Sequence, residues 1–64
     1  VNDIEKLEAD AIDDAYRDLV ATLAREYMGL TLIEYSVKDE AYFVKQLKRA
    51  REAYAATRKL MKEQ

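Results

Sequence analysis

Sixty-four residues, half of them nominally apolar and 38% charged with a formal net charge of −2, make one small domain and exclude a second. The absence of both cysteine and histidine excludes disulfide staples and removes the usual ligands of a structural zinc. Chains of this size hold a thin core, and with those two remedies gone the remaining one is association.

No apolar run approaches the roughly 18 residues of a membrane span, so no membrane partner is expected. The opening VNDIEKLEAD is acidic and periodic rather than basic and then apolar, which argues against a secretory signal. Cytoplasm, or a particle assembled there, is the expected location. Val1 fits either a GTG start codon read literally, which would point to a bacterial or phage gene, or an end at which a longer chain has been cut.

Asn2 followed by Glu5 has the spacing of a capping box and marks the start of a first helix. From Ile4 through Leu7, Ala11, Ile12, Ala15, Tyr16, Leu19, Leu23 and Tyr27 the apolar residues recur at helical spacing, although the stripe drifts around the helix. Gly29, the only glycine in a chain without proline, follows that pattern where a left-handed residue commonly ends a helix. The first helix is therefore expected over about 2–28.

The next stretch, LTLIEYSV, is rich in β-branched and aromatic residues and reads as an extended segment of β character over 30–35. Within the chain it has no second strand to satisfy its backbone. Several readings stay open: a loop whose Leu32, Ile33 and Tyr35 plug the end of a helical hairpin, a strand pairing with another chain, and, behind these, one long helix or a cramped β-hairpin.

Ser36 with Asp39 gives a second capping box, and Asp39 and Glu40 suit the positive end of a helix dipole. A second helix is expected over about 37–63. In it Phe43, Leu47, Ala50, Tyr54, Thr57 and Met61 alternate at spacings of four and three, a short packing seam.

Charge is unevenly divided. Residues 1–30 hold eight acids and three bases, while residues 31–64 hold eight bases and five acids. Antiparallel packing would lay the acidic start of the first helix beside the basic end of the second. Helix dipoles favour the same distribution by themselves.

Asp10, Asp14 and Asp18 line one helical ridge, a poor cage for a hard cation, which needs convergent oxygens from several elements. No metal and no cofactor is expected. Ser36 is accounted for as a cap, Thr22, Thr31 and Thr57 have no histidine to activate them, and one glycine cannot build a phosphate loop. No enzyme is expected either. Lys45, Lys48, Arg49, Arg51, Arg58, Lys59 and Lys62 on the second helix are candidate phosphate contacts, set against a net acidic chain.

These features converge on an all-α chain, an antiparallel two-helix hairpin completed by oligomerisation, with a homodimeric four-helix bundle first among the expectations. Its expected function is non-enzymatic protein–protein interaction or assembly. The expected interface comprises Leu32, Ile33, Tyr35, Tyr42, Phe43, Leu47, Ala50, Tyr54 and Met61. Two alternatives stand beside it: a small structural subunit of a larger particle such as a phage connector, and a nucleic-acid-binding protein that uses the basic second helix.

Overall fold

The computed structural model describes residues 3–63, and over them the chain is two helices, α1 (Asp3–Ile33) and α2 (Val37–Lys62), packed antiparallel. Only residues 34–36 lie between them. The expected Asn2 cap lies outside the described residues.

The start of α2 is built by local chemistry. Ser36 is extended, at φ −136° and ψ 128°, and its hydroxyl accepts from the Asp39 backbone N–H at 3.4 Å. Its own carbonyl accepts from the Glu40 N–H at 3.1 Å, the first bond of the helix. These partners satisfy donors that an uncapped first turn would leave open. Asp39 and Glu40 at that end, and Lys59 and Lys62 at the other, oppose the ends of the helix dipole.

The end of α1 differs from expectation. Gly29 does not terminate the helix, which continues through Leu30, Thr31, Leu32 and Ile33, and the extended segment expected over 30–35 shrinks to a three-residue bend. No glycine takes a positive φ, so Gly29 is an ordinary helical residue. The physical reason is backbone satisfaction. A helical glycine costs about 1 kcal/mol, whereas each additional intrahelical hydrogen bond returns roughly 0.5–1.5 kcal/mol. Beyond Gly29, bonds such as Glu34 N–H to Leu30 C=O at 3.0 Å are available, and no strand exists among the described residues to offer others. Thr31 adds a hydroxyl donated to the Met28 carbonyl at 2.9 Å. Helix wins over the β propensity of Thr31 and Ile33 because that propensity measures fit to a neighbouring strand, and none is present.

Two aromatic pairs fix the register of the helices. Tyr16 meets Tyr54 with ring centroids 4.5 Å apart, and Tyr27 stacks on Phe43 at 4.7 Å. Such pairs contribute about 0.5–1.5 kcal/mol each beyond their area. Between them lies Ala50, at 6% exposure the one buried residue among those described. Its small side chain lets the backbones approach where two large rings flank the contact.

The result is a single layer. The Cα envelope measures 49 × 16 × 9 Å, with a radius of gyration of 15.2 Å, against about 10.7 Å for a compact domain of this length.

Candidate protein interface

The packed row of α1 is built from half-buried Ala9, Ile12, Asp13, Tyr16, Val20, Leu23 and Tyr27. The drifting apolar stripe thus resolves into two rows. One packs on α2, while the other, with Leu7, Ala11, Ala15 and Leu19, stays exposed.

In α2, Phe43, Leu47, Ala50, Tyr54 and Met61 form the inner row as their spacing implies, buried or half-buried against α1. Thr57 departs from it: exposed, it donates its hydroxyl to the Ala53 carbonyl at 2.8 Å. Arg58 takes the inner place, because Asp13 of α1 gives its guanidinium a partner at 3.8 Å. Five of the nine expected interface residues are therefore occupied inside the hairpin. The other four, Leu32, Ile33, Tyr35 and Tyr42, are open to solvent, with Leu32 and Ile33 at 87% and 86% exposure.

The two broad faces of the hairpin differ in chemistry. On one, Asp13 receives both the Tyr54 hydroxyl, at 2.5 Å, and Arg58. Arg17 stands beside them, paired with Asp14 at 3.2 Å, and an open groove runs past Tyr16 and Val20. The hydrogen bond to Asp13, aided by partial burial, holds the Tyr54 phenol above its ordinary pKa of 10.0. On the opposite face, Ala15 and Leu19 of α1 and Ala53 and Thr57 of α2 line a shallow groove over Ala50. It continues toward the bend past Leu30, Glu26 and Tyr42. This face is apolar, small at its centre and sparsely charged. Ala15 and Leu19 escaped the expected interface; the signal for them was the width of the apolar stripe on α1, which exceeds what one partner helix can cover.

At the bend, Leu32, Ile33 and Val37 are exposed, and Tyr35 donates its hydroxyl to Glu40. That bond, with some desolvation and the Glu40 charge, raises the Tyr35 pKa.

The basic residues of α2 divide as well. Arg58 is drawn inward by Asp13, while Lys45, Lys48, Arg49, Arg51, Lys59 and Lys62 lie exposed around the outer arc. Among the described residues Arg58–Asp13 is the only ion pair between the helices. No group of three or more Asp or Glu among the described residues is placed to hold a metal ion, and no described helix is long and apolar enough to cross a membrane. The chain matches no protein-family model, no curated protein and no solved structure.

Proposed function

We propose that this chain is a non-enzymatic assembly module whose work is to bind protein and, in doing so, to complete its own fold. The observation that carries the reading is a surface excess. The chain exposes 5516 Å², whereas a compact protein of 7.4 kDa exposes roughly 4,200 Å². Large apolar side chains supply much of that excess, among them Leu19, Leu30, Leu32, Ile33, Tyr42 and Leu60. Leu19, Leu30 and Tyr42 gather along one face of the hairpin, and apolar surface gathered in this way is a mark of protein interaction. A subunit of a larger particle is the same reading at higher stoichiometry.

Catalysis has little to draw on. The grooves between the helices are open along their length, and general acid–base work needs titratable groups enclosed where their pKa values can be tuned.

Light scattering on the purified chain tests the reading. The expected mass is a multiple of 7.4 kDa that falls on dilution. A folded monomer at every concentration, binding no other protein, would refute it.

A further inference from the structure

We infer that the partner is a second copy of this chain, laid on the apolar face so that α1 of each hairpin runs over α2 of the other and both bends lie at the same end. The inference rests on the assembly reading above and deepens it by naming the occupant, the face and the orientation.

Chemistry selects the face. The side with Asp13, Tyr54 and Arg58 already satisfies its polar groups internally. The opposite side presents Ala15, Leu19 and Ala53 over a groove about 200 Å³ in volume. Small residues at its centre permit helices to approach closely, and Leu19 stands beside them as a knob for that hollow. Area agrees. A face of 49 × 16 Å is on the order of 800 Å², the per-partner area of a stable interface. Covering it removes more than half of the surface excess.

Charge selects the occupant and the orientation. Helix α1 is acidic and α2 basic, yet only one ion pair joins them within the chain among the described residues. A second copy brings the complementary helix to each. Helical spacing sets Glu8 and Glu26, eighteen residues or about five turns apart, on the apolar face of α1 in line with Leu19. Arg49 lies on the same side of α2 as Ala53, four residues away.

Two face-to-face arrangements have twofold symmetry. With bends at opposite ends, α1 crosses its own copy antiparallel, and centring on the small residues brings Glu8 of one chain toward Glu26 of the other. Like charges then meet twice. With bends at the same end, α1 lies over the partner's α2 at the height set by Tyr27 against Phe43. Glu26 then falls level with Val44 of the second copy, about 8 Å along the axis from Arg49 at 1.5 Å per residue. Extended Glu and Arg side chains span that distance. The second arrangement turns a repulsion into two attractions. It also gathers Leu32 and Ile33 of both copies into one apolar end.

Charge reversal in trans tests this. Glu26→Arg and Arg49→Glu are exposed changes, and circular dichroism checks that helicity is kept. By sedimentation equilibrium each variant alone should dimerise on the order of tenfold more weakly than wild type. An equimolar mixture should recover wild-type affinity as a heterodimer, because both cross-chain contacts are then opposite in charge. Tightening of the dimer by Glu26→Arg alone would overturn the orientation, since it would place that position against Glu8. A wild-type dimer indifferent to both changes would overturn the face. A wild-type monomer that binds a different protein would overturn the self-pairing and leave the assembly reading standing, whereas a monomer that binds nothing would overturn both.

Discussion

The Tyr54 hydroxyl donates to the Asp13 carboxylate at 2.5 Å, joining positions 41 residues apart in sequence and tying the end of α2 to the start of α1. Asp13 also lies 3.8 Å from the Arg58 guanidinium, so one carboxylate accepts a hydrogen bond and holds an ion pair on successive turns of the other helix. The ring of Tyr54 meanwhile lies against Tyr16. One residue thus provides both packing and a polar lock on register.

Tyr54→Phe keeps the ring and removes the lock. The expected loss is small but measurable, because solvent at this partly open site screens a bond to a charged group. Chemical denaturation measures it. A loss equal to that of Tyr54→Ala would mean that the hydroxyl carries the whole contribution and the ring packed on Tyr16 none.

The same bond predicts a pH dependence. The folded-state pKa of Tyr54 is raised above 10.0, and that of Tyr35 is raised in the same direction through Glu40. A raised pKa means that the folded state favours the protonated phenol. Its contribution is complete below pH 10.0 and is lost as pH climbs through the higher folded value. Stability should therefore decline above that pH, and less steeply in Tyr54→Phe. Thermal melts across the alkaline range, compared between the two proteins, read this directly.

Gly29→Ala discriminates between a terminating and a helical glycine. A Cβ built there meets nothing within 4 Å, and the φ is not positive. Alanine should stabilise the chain by about 0.5–1 kcal/mol. Destabilisation would show that position 29 needs the left-handed conformation after all.

Ser36→Ala removes the α2 cap. The bond from Asp39 is long, at 3.4 Å, so the expected cost lies near the lower end of the capping range, about 0.5–1 kcal/mol. The change should appear as a lowered melting temperature. A larger drop would indicate that the bend, and not the cap alone, depends on Ser36.

Much of this fold is legible in the sequence where the signals are local. Ser36 with Asp39 places the start of α2 at Val37, and the spacing from Phe43 to Tyr54 identifies its inner row. Gly29 misleads because a glycine ends a helix only when it adopts a conformation that other residues avoid, and nothing local forces it to do so here. LTLIEYSV misleads for a related reason: its composition suits a strand, but composition cannot supply the neighbouring strand that would make one. Arg58 replaces Thr57 in the inner row because of Asp13, a contact across 45 positions that heptad spacing does not encode. The apolar face was visible only as an over-wide stripe on α1. Dividing it between the partner helix and the exposed row required knowing where Tyr16 and Tyr27 meet α2.

The central claim is that the hairpin is incomplete until its apolar face is covered. The most direct measurement is thermal unfolding by circular dichroism over a hundredfold range of protein concentration. Folding coupled to association predicts a midpoint that rises by several degrees with concentration. A cooperative transition with the same midpoint throughout, from a fully helical chain, would contradict it.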